Sequence, residues 1–268
     1  MSVAVTGAER IAEAFESARA EGRRAALMPY LMAGYPDLER SREIARAYVD
    51  GGADLIELGI PFSDPLADGP VIHAAGVAAL ATGVRVDDAM SVVRDVADRV
   101  PVVVMCYANI ILARGLERFA DMLLAVGASG LIVPDLPLEE APATLDALDA
   151  RGLALVPLVA PTTPEARLAQ IGARARGFLY TVSVTGTTGE RASNDGGLAA
   201  ILARARAHTD VPVAVGFGIG TPEQAAAAAD AGADGVIIGS RLVRAAGEAQ
   251  AAADEVRGLV RAFAAALG

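Results

Sequence analysis

Eight short apolar runs punctuate the chain, at residues 26–33, 55–60, 100–107, 130–134, 154–159, 177–184, 211–216 and 235–239. Within each run the apolarity is continuous rather than alternating, as strands covered on both faces require. Stretches with helical spacing separate them, at 38–50, 86–99, 116–126, 138–150, 164–171, 198–207 and 222–231, and a last helix is expected over 249–266. Ahead of the first strand, Glu9, Arg10, Glu13 and Glu16 alternate with Ile11 and Phe15, which reads as a short amphipathic helix.

The punctuation agrees with this reading. Asp37 is placed to N-cap the first helix after a strand, and Thr163-Pro164 and Thr221-Pro222 set a hydroxyl before a proline at the first helical position. Glycines follow helices in Asp50-Gly-Gly-Ala-Asp54, Val126-Gly-Ala128 and Asp230-Ala-Gly-Ala-Asp234, the C-cap-to-strand turn of a βαβ unit. Eight strand–helix alternations without a linker predict an α/β chain folded as a single (β/α)8 TIM barrel, one domain over residues 1–268, with an extra N-terminal helix. An open doubly wound sheet is the rival. The strand count, and the lack of Gly-x-Gly-x-x-Gly after the first strand, disfavour it.

Composition then removes chemistries. The net charge of -10 argues against nucleic acid, which needs a basic stripe, but leaves room for an anion held by backbone N–H groups. All 23 basic residues are arginine, so no lysine can form a Schiff base. Cys106, the only cysteine, lies in an apolar run and reads as packing. His73 and His208, the only histidines, leave few ligands for a transition metal. No signal peptide is visible, and the apolar run over 100–113 contains Pro101 and Asn109 and is too short for a bilayer. A cytoplasmic protein with no membrane contact is expected, with proton transfer left to carboxylates or tyrosines.

In a barrel the reacting groups sit at the C-terminal ends of the strands. Glu57 lies within an apolar strand, flanked by Leu55, Ile56 and Leu58, where burial raises a carboxyl pKa into a useful range. Asp64 and Asp68 follow between Pro61, Pro65 and Pro70. Asp68 can pair with Glu57 as donor and acceptor, while Asp64 reads equally as a turn former. Glycine-rich turns after strands seven and eight, Gly216-Phe-Gly-Ile-Gly220 and Ile238-Gly-Ser-Arg241, suggest a phosphate site, and Thr188-Gly189 can add another N–H. The long polar loop 184–195 reads as a lid over the site. Tyr180 can point into the barrel or outward. Tyr107 and Asn109 end the third strand facing the site or a partner.

Together these segments resemble the tryptophan synthase alpha chain family, from about Pro29 to Arg244. The most specific stretch is Glu57-Leu-Gly-Ile-Pro-Phe-Ser-Asp-Pro-Leu-Ala-Asp-Gly-Pro70. Ala33-Gly-Tyr-Pro-Asp37, Met105-Cys-Tyr-Ala-Asn109, Pro134-Asp-Leu-Pro137, Thr188-Gly189 and Gly216-Phe-Gly-Ile219 support it. The resemblance implies a lyase that cleaves indole-3-glycerol phosphate to indole and glyceraldehyde 3-phosphate. It implies Glu57 as acid and base, Asp68 as acceptor of the indole N–H, and Tyr180 in support. Gly189, Gly218, Gly239 and Ser240 would hold the phosphate. It implies no cofactor in this chain, and a pyridoxal-phosphate-dependent beta chain as partner, docking over Pro61, Asp64, Asn109 and Pro137.

Three positions depart from the family's usual pattern: His73 for glutamine, Met32 for threonine, and Val184-Thr-Gly-Thr187 in the lid. Other phosphate-binding barrels are the enzymatic alternatives. An indole-glycerol-phosphate synthase is expected to need a lysine, which this chain lacks. A catalytically silent barrel acting as an allosteric subunit is the alternative from a different class.

Overall fold

A computed structural model describes residues 5–182, 195–216, 218–248 and 252–268. The elements in order are α1 (Gly7–Ala20), β1 (Ala26–Met32), α2 (Leu38–Gly51), β2 (Ile56–Gly59), α3 (Pro70–Ala81), α4 (Val86–Arg94), β3 (Val102–Met105), α5 (Ala108–Leu112) and α6 (Leu116–Ala125). They continue with β4 (Gly130–Ile132), α7 (Pro142–Asp149), β5 (Ala154–Leu155), β6 (Leu158–Val159), α8 (Glu165–Gly172), β7 (Leu179–Val182) and α9 (Asp195–Arg206). β8 (Val213–Gly216), α10 (Pro222–Asp230), β9 (Gly235–Ile238), α11 (Ser240–Glu248) and α12 (Ala252–Ala266) complete the chain.

The strands pair in parallel in the order β5-β4-β3-β2-β1-β9-β8-β7-β6. The two ends of that order are halves of the single strand expected over 154–159. Val156 donates its N–H to Leu131 beside β4 (2.9 Å), and the carbonyl of Pro157 accepts the N–H of Tyr180 in β7 (3.0 Å). The ring therefore closes through these two residues as an eight-stranded barrel. Pro157 has no N–H to give, which is why the ladder is interrupted there.

Strand alternation divides the core into two layers. Met28, Leu55, Val103, Ile132, Ala154, Phe178 and Ala214 fill the barrel, whereas Leu27, Leu31, Ile56, Leu58, Val102 and Val104 face the helices. Both faces are covered, hence the unbroken apolar runs. The interior layer is completed from below by Ile11, Phe15 and Ala18 of α1. That helix starts with a Thr6–Glu9 capping box, and the Arg10 guanidinium donates to the carbonyls of Ala97 and Gly127. α1 is thus a plug at the N-terminal end of the barrel.

Several local expectations need correction. Thr163 does not cap α8: Pro164 is the N-cap residue, and the Thr163 hydroxyl accepts the Ala160 N–H (2.9 Å) instead. Asp37 and Thr221 do cap their helices, the latter in a capping box with Gln224. The stretch expected as a helix to 99 leaves helical form after Arg94, α7 begins at Pro142 rather than 138, and α9 begins before 198. Helices α3, α5 and α11 were not expected. α3 is built from alanine, valine and glycine with little polar contrast between faces, α5 spans 5 residues, and α11 directly continues a strand end. Residues 249–251, expected to open the last helix, lie outside the described residues. Among the described residues no helix is long and apolar enough to cross a membrane.

Candidate active site

Glu57 stands opposite Tyr30 of β1 and Val103 of β3. Ile56 and Leu58 turn outward to the helices, so alternation sends Glu57 into the barrel above Leu55. It is 1% exposed, and among the described residues its Oε2 has no hydrogen-bond partner. Burial, reinforced by the negative field of Asp68, pushes its pKa up to about 8. Above the interior layer the mouth is lined by Tyr30, Met32 and Tyr180. Tyr180 points inward, and its hydroxyl lies over Gly216, where a Cβ would come within 2.2 Å of it. Tyr30 does the same over Gly59, at 2.0 Å. Glycine at the ends of β2 and β8 is what admits the two phenols, and burial raises the pKa of both.

Asp68 reaches the same mouth from the β2–α3 loop. Its Oδ1 accepts the hydroxyl of Tyr107 at 2.8 Å, and that hydroxyl in turn accepts the Ala67 N–H at 3.0 Å. Partial burial raises the Asp68 pKa, against the opposing pull of the Tyr107 hydrogen bond and of His73. The raised carboxyl of Glu57, the neighbouring carboxylate and the phenols form a site that can hold, deliver and take back a proton in a largely dry setting.

Gly218, Gly239 and Ser240 follow the adjacent strands β8 and β9. Gly218 has φ +80°, a left-handed conformation that favours glycine, and among the described residues a Cβ on Gly239 would meet nothing nearer than the Tyr30 Cβ at 4.0 Å. Ser240 opens α11, in whose first turn the Leu242 and Val243 N–H groups already donate to the Gly239 carbonyl at 3.0 and 3.1 Å. The Gly220 N–H, by contrast, is already taken by the Gln224 side chain (2.7 Å). Gly189 and the lid segment, including Thr188, lie outside the described residues. Around the mouth Asp64, Asn109 and Pro137 are exposed, whereas Pro61 is buried. The Asp64 carboxylate accepts the Ser63 hydroxyl at 2.5 Å.

A family profile described as the tryptophan synthase alpha chain matches residues 15–266. The chain belongs to that family. The tryptophan synthase alpha chain of Synechococcus elongatus is 49% identical over 235 residues, covering 87% of this chain and 88% of the relative. The alpha chain of Roseiflexus castenholzii is 51% identical over 203 residues, 75% of this chain and 77% of its own. Among solved structures, tryptophan synthase of Mycobacterium tuberculosis superposes with a TM-score of 0.89 at 41% identity, covering 96% of this chain and 98% of that one. A chain of the tryptophan synthase a2b2 complex of Pyrococcus furiosus does so at 0.83 and 36%, over 89% and 97%. The barrel expected from the apolar runs is therefore the fold of this alpha-chain family.

One lining residue, Tyr30, has no signal among the sequence motifs, although counting outward from Met28 in β1 places it on the inner face. Of the two directions open to Tyr107 from the sequence, site or partner, the structure takes the first: it is buried beside Asp68.

Proposed function

We propose that this alpha chain cleaves indole-3-glycerol phosphate to indole and glyceraldehyde 3-phosphate in tryptophan biosynthesis. The observation that carries this reading is a buried Glu57 whose Oε2 has no partner, at the mouth of the barrel and in the field of Asp68. With its pKa near 8, Glu57 holds a proton at neutral pH. It delivers that proton to C3 of the indole ring, which becomes cationic. Asp68 accepts the ring N–H and stabilises the positive charge. The Glu57 carboxylate then takes the proton of the side-chain hydroxyl, the bond between C3 and the side chain breaks, and its electron pair returns to the ring. Indole and the aldehyde leave with atoms and charge balanced, without a lysine or an electron-accepting cofactor. Tyr180 supports the reacting centre. Gly218, Gly239, Ser240 and Gly189 hold the phosphate, mostly through backbone N–H groups.

The whole chain, residues 1–268, acts as one barrel domain in the cytoplasm and binds no cofactor of its own. Its partner is a beta chain carrying pyridoxal phosphate, which docks on the face that includes Asp64, Asn109 and Pro137, with Pro61 beneath. The test is a coupled assay of glyceraldehyde 3-phosphate formation, with and without a cognate beta chain. Turnover above background that rises with the beta chain is expected. Absence of product in both conditions would overturn the reading.

A further inference from the structure

Tyr107 is the point at which three consecutive strand-end loops meet. It follows β3 and is the N-cap residue of α5. The next residue, Ala108, donates its N–H to Asp135 from the loop after β4 (2.9 Å), which pins the backbone beside Tyr107. The ring is buried and stacks on Phe62 of the β2–α3 loop, with centroids 5.3 Å apart. Its hydroxyl donates to Asp68 Oδ1 at 2.8 Å and accepts from Ala67 N–H at 3.0 Å, filling both capacities of a phenol with neighbouring residues of one loop. A ring needed only for packing would have no use for this oxygen. Here it fixes both the position of the Asp68 carboxylate and the backbone that carries it.

We propose that Tyr107 is a positioning residue for Asp68, its hydroxyl fixing that carboxylate in place at the mouth. This rests on the role given to Asp68 above. The groups that act on Asp68 are Tyr107, which holds it down by the hydrogen bond, His73 from α3, which favours its charge, and the carboxyl of Glu57 and the phenol of Tyr30 across the mouth. Tyr107 itself faces Asp68 and Asp135, and both act against loss of its phenolic proton, so it remains a donor.

Tyr107→Phe keeps the ring and its stack while removing the oxygen. In that variant the Asp68 carboxyl should titrate at higher pH, read by carboxyl-carbon NMR of the free chain and assigned with Asp68→Asn. An unchanged midpoint would overturn the proposal whether or not the chain is active. Phe62→Leu, which loosens the stack and leaves the hydroxyl, should keep the Asp68 midpoint. An equal shift there would make packing the cause and overturn the proposal too.

In the unaltered chain the phenolic carbon of Tyr107 should report the same midpoint as the Asp68 carboxyl, and independent titration counts against the bond. In indole release, Tyr107→Phe should lower kcat about tenfold with KM little changed, because a carboxylate no longer fixed in place stabilises the cationic ring less well. Combined with Asp68→Asn it should cost nothing further. A full tenfold loss in that background would show that the hydroxyl acts otherwise. Wild-type chains that release no indole would remove the proposed function, while the titrations would still decide the role of Tyr107.

Discussion

Two carboxyls taken out of water lie on either side of the barrel along β2, Asp54 just before the strand and Glu57 within it, and they are treated in opposite ways. At the plugged end, Asp54 Oδ2 accepts the Leu27 N–H at 2.8 Å and the Arg23 guanidinium at 2.5 Å. Asp234, just before β9, repeats the device with the Val213 N–H and Arg206, each at 2.9 Å. At the mouth, Glu57 is buried more deeply still, yet among the described residues its Oε2 has no partner. Burial raises both carboxyls. Arg23 and the Leu27 N–H restrain Asp54 at about 6, whereas Glu57, facing another carboxylate, reaches about 8. Burial alone thus does not separate a structural acid from a reactive one. The partners do: an acid that ties strands together spends its lone pairs on them, and an acid kept for a substrate keeps one free.

The comparison is broken most directly by Glu57→Gln, which keeps shape and removes the proton. Indole release should fall by about a thousandfold or more, roughly 4 kcal/mol in barrier, with thermal unfolding unchanged or slightly raised. Near-normal turnover would end the distinction between the two ends.

The converse substitution, Asp54→Ala, should leave turnover per folded molecule intact. It should cost about 3 kcal/mol in urea unfolding, because the Leu27 N–H loses its side-chain acceptor and the Arg23 guanidinium its most buried one, keeping Glu21 and the Gly52 carbonyl. Lost activity in the folded fraction would count against a purely structural Asp54.

Gly59→Ala probes the mouth alone. The new Cβ would displace the Tyr30 ring, with a stability cost of about 2 kcal/mol. The same change at Gly258, where a Cβ meets nothing within 4 Å, should have no such cost.

The smallest effect is a pH dependence. The folded-state pKa of Glu57 lies above its unfolded value, so the native state binds the extra proton between about 4.5 and 8. Its contribution to stability is complete below that window and is lost as pH rises through it. Between pH 6 and 7 the wild type should lose about 1.4 kcal/mol relative to Glu57→Gln. A pH-independent difference, measured by urea unfolding, would mean that Glu57 is ionised throughout.

Much of the barrel was legible in the chain because a strand covered on both faces must be apolar along its length, as 26–33 and 211–216 are, and as 55–60 is apart from Glu57. Helix α3 was not, because Val71-Ile-His-Ala-Ala-Gly76 lacks the polar face by which periodicity identifies a surface helix, and the amphipathic α11 follows β9 with Gly239 alone between them, so no loop marks its start. Glu57 could be singled out as an anomaly, a charge inside an apolar run. Tyr30 could not, since an aromatic residue in a buried strand looks the same whether it fills the core or lines a site. Tyr107 stood next to the right place, but its hydrogen bonds join residues 39 and 40 positions apart, which spacing does not reveal.

By itself the sequence determined the repeating strand–helix order, the confinement of proton chemistry to carboxylates and tyrosines, and the acidic segment from Glu57 to Asp68. These are local properties of residue type and order. Only the tertiary structure decided that Tyr180 points inward, that Pro157 is where the ring closes, and that Asp54 is partnered while Glu57 is not. A side chain's partners come from other strands, and the closure of the barrel is what brings them within hydrogen-bond reach.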